Sequence, residues 1–272
     1  MSEFVLQPKK AKSFRELNAI LTITARDILL TFKSPGSLLI SFALPVVMMG
    51  MLGGSLAQNI AGSFGFNYSP FLLVGMLVNM LFMITTLGLV SLVEDRQTNF
   101  TQEMMISPIS RYSIVIGKIF GSTFAAIVGL AGTLIVGLVM RITIGWVQLL
   151  KVLALSPLIC LSAGALSIII IGVIRNTRTA SLVASFMILP QMFLSGVIIP
   201  INHSNGVLLV LSRILPMTYC LDLTRAVVYA GTPEYHSVVL FNPLMDIAVI
   251  VILTVIFLTI GTYLFARSET HR

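Results

Sequence analysis

Gly117-Lys118 is the one Gly-Lys pair in the chain, and the nearest the sequence comes to a nucleotide site. A phosphate-binding loop needs G-x-x-x-x-G-K-[ST], so that backbone amides cradle phosphates and the hydroxyl reaches Mg²⁺. Here Tyr112 stands at the first glycine and Ile119 at the hydroxyl position. The pair is read instead as packing and anchoring: Gly117 lets another helix come close, and Lys118 snorkels to the membrane surface. His203, His236 and His271 form no H-E-x-x-H, and there is no G-x-S-x-G elbow. Cys160 sits in an apolar run and Cys220 in a loop segment, without C-x-x-C spacing, so neither a disulfide nor a metal site is expected. No enzyme chemistry, metal or cofactor is expected of this chain itself.

The elements that must position these residues are membrane helices. The 272 residues are 57% hydrophobic and only 10% charged, against about 25% charged in soluble domains. Several apolar runs reach the roughly 20 residues that a helix needs to cross a bilayer. The fold class is therefore an all-α integral membrane protein. Spans are expected at 37–57, 70–93, 112–139, 152–174, 179–199 and 245–266, six in all. The formal charge of +7 does not imply a nucleic-acid partner, because the basic residues flank apolar spans and make no single surface.

Residues 1–35 read as a unit of their own, ahead of a six-span transmembrane domain over 36–272. They lack the apolar core and small-residue cleavage site of a signal peptide. Ser13 with Glu16 predicts a capping box that opens a helix. On a helical wheel Arg15, Asn18, Thr22, Arg26 and Lys33 share one arc, and Phe14, Leu17, Leu21, Ile28 and Phe32 lie opposite. This is an amphipathic interfacial helix, with cations toward lipid head groups, ended by Ser34-Pro35-Gly36. With the N-terminus inside, cytoplasmic segments hold 13 of the 17 Lys and Arg, and only Arg141, Lys151, Arg213 and Arg225 lie outside. The positive-inside rule thus predicts both termini in the cytoplasm.

Residues 206–231, GVLLVLSRILPMTYCLDLTRAVVYAG, are apolar in two pieces divided at Pro216, each too short to cross. They predict short re-entrant helices on the outer side, where surrounding protein must bury the backbone. Asp222 and Arg225, three apart, are expected to pair. The middles of the spans hold no ionisable group, only mild polar ones such as Asn79 and Gln191. That disfavours an ion-driven transporter, which needs such groups to carry protons or ions. Energy must then come from a partner.

The stretch EDRQTNFTQEMMISPISRYSIVIGK (94–118) is the place for one. It resembles the membrane subunit of type-2 ATP-binding-cassette exporters, the family of daunorubicin-exporter, nodulation-factor, polysaccharide and teichoic-acid permeases. The likeness lies in Glu94-Asp95-Arg96, a short helix over Asn99 to Ile106 (with Asn99 where the family often has glycine), Ser107-Pro108-Ile109-Ser110-Arg111 and Gly117-Lys118. FLSGVIIP (193–200), ending at Pro200, and LSRILPMTYCLDLTRAVVYAG (211–231), with Pro216, Tyr219 and Arg225, are similar to the family's elements before its last span. The resemblance implies a dimer of permeases, with itself or a sister chain, and two cytoplasmic ATPase subunits that hold ATP and Mg²⁺. It makes 94–107 the coupling helix, touching the ATPase through Glu94, Asp95, Arg96, Phe100, Glu103, Met104 and Met105, with the N-terminal helix as a brace. A substrate path would run between spans one, two and five, past Asn79, Phe82, Gln191 and Phe193. Apolar walls without fixed charge favour a drug-like or lipid-like substrate over a lipid-linked glycan. A non-transport membrane scaffold is the reading from another class. The plasma membrane is the expected location.

Overall fold

The computed structural model describes residues 8–34, 46–51, 66–97, 109–142, 144–201 and 206–270, with single positions 36, 39 and 43. Its regular elements are all helices: α1 (Pro8–Lys33), α2 (Tyr68–Gly88), α3 (Ser91–Gln97), α4 (Arg111–Val139), α5 (Trp146–Ile171), α6 (Thr177–Leu194), α7 (Val207–Ile214), α8 (Pro216–Val228), α9 (Tyr235–Val238) and α10 (Pro243–Thr270). Among the described residues four helical stretches are long and apolar enough to cross a membrane: 68–97, 111–139, 146–171 and 235–268. The pair α7–α8, bent by 83°, makes up to five if it is counted as one broken span. Most of the expected first span, 37–57, lies outside the described residues; its described positions are helical. The expected fifth span is shorter than 179–199. It stops at Leu194 because Ser195 and Gly196 turn the chain, with Gly196 at φ 84°, a conformation that favours glycine.

Short polar residues start the helices. The Asn67 side chain accepts from Ser69 N–H, Ser110 from Tyr112 N–H, and Asn176 from Arg178 N–H. Each thereby satisfies one of the amides that a helix leaves open at its N-terminus. Pro216 opens α8, where its missing N–H matters least. The break before it is held by Thr218 Oγ1, which donates to Ser212 O at 2.6 Å, and by Tyr219 Oη, which donates to Arg213 O at 2.8 Å.

The bundle is built around α2. Tyr68, Phe71, Leu72, Leu77 and Phe82 of α2 join Ile159 and Cys160 of α5, Met217 and Leu221 of α8 and Ile250 of α10 in the main core. Of the apolar stretch of α2–α3, 78% is buried inside the protein, against 22% of that of α10. Cys160 and Cys220 are buried free thiols, and Cys220 lies on α8, not in a loop.

α1 begins at Pro8, so Ser13 lies inside the helix and does not cap it. Glu16 caps a different helix: its carboxylate accepts from Ser110 N–H at 2.8 Å and Ser113 Oγ at 2.7 Å, at the start of α4. The helix has three faces, not two. Phe14, Leu17, Leu21 and Phe32 are exposed, as an interfacial face requires. Arg15 and Lys33 are exposed as well. The third face, with Ile20, Ile23, Thr24 and Asp27, docks on α4. It comes so close that a Cβ at Gly117 would lie 3.0 Å from that of Ile23, and one at Gly121 2.6 Å from that of Asp27. Thr24 Oγ1 donates to Gly117 O at 3.1 Å across the same contact. Gly117 is thus the close-packing residue that the sequence suggested.

Candidate functional site

At the α1 end of the bundle, four charged side chains from three helices meet. The Arg26 guanidinium (α1) forks onto Asp95 (α3), with Nη2 to Oδ1 at 2.9 Å and Nη1 to Oδ2 at 3.3 Å. Lys118 Nζ (α4) reaches Asp95 Oδ2 at 2.6 Å, Asp27 Oδ1 (α1) at 3.1 Å and Ser91 Oγ (α3) at 3.2 Å. An ammonium has three protons, and all three find acceptors. Two cations and two anions close on one another, so the knot carries no net charge into a buried place. Burial pushes the Asp27 carboxyl above its ordinary range, and Lys118 pulls it back. The hydrogen bond to Asp95 raises the Arg26 guanidinium.

These pairings revise two sequence expectations. Lys118 is 1% exposed and does not snorkel. Arg26 turns to Asp95 and not to head groups. Both follow from the close docking of α1 on Gly117 and Gly121, which brings Asp27 and Arg26 over α4 and α3.

Asp95 and Arg96 are both buried and face inward. Arg96 donates to Gly172 O, to Ile174 O at 3.0 Å and to Ser268 Oγ at 3.1 Å, and its guanidinium lies 4.6 Å from the centre of the Phe265 ring. It fastens the end of α3 to the end of α5 and to α10. Glu94 is exposed. Phe100, Glu103, Met104 and Met105, with Asn99 and the rest of 98–108, lie outside the described residues.

Beside the knot is a cavity of about 730 Å³ between α1, α2, α3 and α4, with Ser181 of α6 at its edge. Met80, Met83, Ile84 and Leu87 form its apolar wall. Asp27, Thr31, Ser34, Ser91, Glu94 and Ser122 make the rest largely polar. The shape suits an amphipathic guest. The expected path residues do not line it. Phe82 packs in the main core. Asn79 is buried, and its Nδ2 has no hydrogen-bond partner among the described residues. Gln191 is buried with its Oε1 likewise unpartnered, and Phe193 is 54% exposed on α6. The cavity residues Met80, Met83 and Leu87 carried no signal of their own in an apolar span.

At the opposite end, α8 is buried along its whole first three turns, from Pro216 to Ala226. Asp222 and Arg225 do not form the expected ion pair: no contact within 4.0 Å joins them. The Asp222 carboxylate accepts from Leu240 N–H at 2.8 Å and Phe241 N–H at 2.7 Å. Arg225 donates from Nη2 to Gly196 O at 2.8 Å and stacks 3.7 Å above the Phe71 ring. The i, i+3 spacing allowed a pair, but each side chain found a better partner in backbone or ring. Tyr219 stacks on Phe241 at 5.5 Å. Pro200, half-buried, ends the largely buried bend that follows α6. His203 lies outside the described residues, and no cluster of three potential metal ligands exists among the described ones.

Comparison with known proteins adds two findings. The family described as ABC-2 type transporter matches residues 18–229. The chain is also similar to proteins named Nodulation protein J. It is 26% identical to that of Rhizobium meliloti (strain 1021) over 205 residues, covering 74% of this chain and 76% of the relative. To that of Rhizobium leguminosarum bv. viciae it is 25% identical over 234 residues, covering 85% and 87%.

Proposed function

The chain belongs to the ABC-2 type transporter family, and from that premise we propose that it is the permease of an exporter powered by a separate cytoplasmic ATPase, which holds ATP and Mg²⁺. The chain spans the plasma membrane six times with both termini inside, and residues 36–272 form the permease behind the interfacial segment 1–35. Segment 94–107 couples to the ATPase, with Phe100, Met104 and Met105 as apolar anchors and Glu94 and Glu103 at the rim. Asp95 and Arg96 act behind this contact, as the root that carries its motion inward.

The observation that carries this reading is how the two flanks of 98–108 are tied. On one side Arg96 grips the ends of α5 and α10. On the other Ser110 and Ser113 bind Glu16 of α1. The charge knot then joins α1, α3 and α4. A push on 98–108 would reach most of the bundle without crossing a flexible joint. A second permease fits the α6 face, where Leu182, Phe186, Leu189 and Phe193 form an exposed stripe, each more than half exposed; lipid covers the outward face of α10.

The cargo is an amphipathic, drug-like or lipid-like molecule, its apolar part against Met80, Met83 and Leu87. A lipid-linked glycan is the second reading, favoured by the hydroxyls of Thr31, Ser34, Ser91, Ser122 and Ser181 around the same cavity. The test is pull-down of an ATP-binding-cassette ATPase subunit with this chain from its host, with export measured in vesicles. Phe100→Ala should leave the protein inserted yet weaken ATPase binding by about 2 kcal/mol and stop export. Normal binding and export with Phe100, Glu103 and Met104 all replaced by alanine would overturn the coupling reading. A membrane scaffold without transport would give no ATP-dependent export in wild type.

A further inference from the structure

Two buried carboxyls meet where α8 packs against the start of α10. Asp222 is 1% exposed and Asp246 is 0% exposed. Each Asp222 oxygen already faces a backbone donor, Leu240 N–H on Oδ1 and Phe241 N–H on Oδ2. The Asp246 carboxyl lies within hydrogen-bonding reach of Asp222. Yet neither Asp246 oxygen receives a hydrogen bond from any donor among the described residues. A buried carboxylate without donors or a cation is severely unfavourable. Two carboxylates in contact cannot both stay ionised, and such pairs share a proton.

Among the described residues no cation touches either carboxyl, and Arg225 acts on Asp222 only from a distance. Arg225, one turn along α8, is turned to Gly196 O and the Phe71 ring. On the neighbouring elements the titratable groups are Arg213 of α7, Tyr219 and Cys220 of α8, Tyr229, Glu234, Tyr235 and His236 after it, Tyr68 of α2, and Cys160 with the exposed Lys151 of α5. Tyr219 donates to Arg213 O and Tyr68 to Ile198 O, so neither hydroxyl proton is given to the pair. A metal ion is the poorer occupant. Two amide N–H groups point at Asp222 and would oppose a cation, and among the described residues no third acidic or metal-binding side chain converges there.

We propose that Asp222 and Asp246 form a proton-binding site, in which a single proton on Asp246 is donated to Asp222 and fastens α8 to the start of α10. Asp222 holds the 240–241 backbone with the same carboxyl, so three segments depend on one proton: α8, the turn before α10, and α10. When the proton leaves, two negative carboxylates remain in contact and the join loosens. This end of the bundle therefore weakens as pH rises, independently of the identity of cargo or ATPase.

The experiment is infrared spectroscopy of the full chain in lipid nanodiscs, with ¹³C-labelled aspartate, beside thermal unfolding from mildly acidic to alkaline pH. Wild type should show a protonated aspartic C=O band at neutral pH that shifts with the label, and should lose thermal stability as pH rises. Asp246→Asn keeps a donor in place, so it should remove that band, keep the fold and flatten the pH dependence. Asp246→Ala should lose stability at every pH. Absence of a labelled band in wild type at neutral pH would overturn the proposal, and this needs no variant to fold. So would a rise in wild-type unfolding temperature on adding sodium at constant ionic strength, lost in Asp246→Asn, which would make the pair a cation site.

Discussion

The two ends of the bundle bury charge in different ways. At the α1 end Arg26, Asp27, Asp95 and Lys118 answer one another side chain to side chain. At the α8 end Asp222 and Arg225, one turn apart, make no direct contact and bind backbone. The first arrangement joins elements that can exchange partners within a neutral set. The second fixes each charge to a carbonyl or an amide whose place is set by the chain itself. A part that relays motion is better served by the first, and a part that must stay closed by the second. Double-mutant cycles separate the two, because only contacting side chains show coupling energy.

The largest expected effect is at Lys118. Lys118→Met leaves two carboxylates, Asp27 and Asp95, to share Arg26 alone, and should destabilise the protein by about 3–5 kcal/mol, the range for breaking a buried pair. Adding Asp27→Asn should recover part of that loss, in thermal or denaturant unfolding of the purified protein. Strict additivity would show that the knot is not an energetic unit. Arg225→Ala comes next, at about 2–4 kcal/mol, because it leaves Gly196 O without its donor and removes the cation from the Phe71 ring. Here Asp222→Ala should add to the loss and rescue nothing; a rescue would restore the direct pair and erase the contrast between the ends.

Gly121→Ala tests what assembles the knot. Its Cβ would meet that of Asp27 at 2.6 Å, pushing α1 off α4 at about 1–3 kcal/mol, as overpacking does. The same substitution should uncouple Asp27 from Lys118 in the cycle above. Unchanged stability and coupling would mean that α1 docks without this contact. Glu16→Gln should have the smallest effect, about 1 kcal/mol, since an amide oxygen still accepts from Ser110 N–H but without charge. A loss as large as that of Lys118→Met would place Glu16 inside the ionic network and blur its edge.

Local signals determined a good deal. Composition and run length marked the membrane class, and four expected spans appear as long helices. Asn67, Ser110 and Asn176 start helices as short polar residues do, and Pro216 divides α7 from α8 as read. These features depend on a residue and its near neighbours, so a linear pattern holds them. Asn79, Phe82 and Gln191 show where such reading stops, because a face cannot be assigned inside a helix that is apolar all round.

Tertiary structure alone decided the rest. Hydropathy does not distinguish α2, central and mostly buried, from α10, mostly turned outward, because lipid and protein interior are equally apolar. Lys118 and Asp27 stand 91 positions apart, and Arg26 and Asp95 stand 69 apart. No periodicity connects such residues, and Arg26 and Lys118 alone looked like membrane-surface charges. They pair because Gly117 and Gly121 leave room for α1, and a charge shut away from water must find its opposite there. Asp222 and Arg225 show the converse: spacing made them neighbours, and packing gave each a different partner.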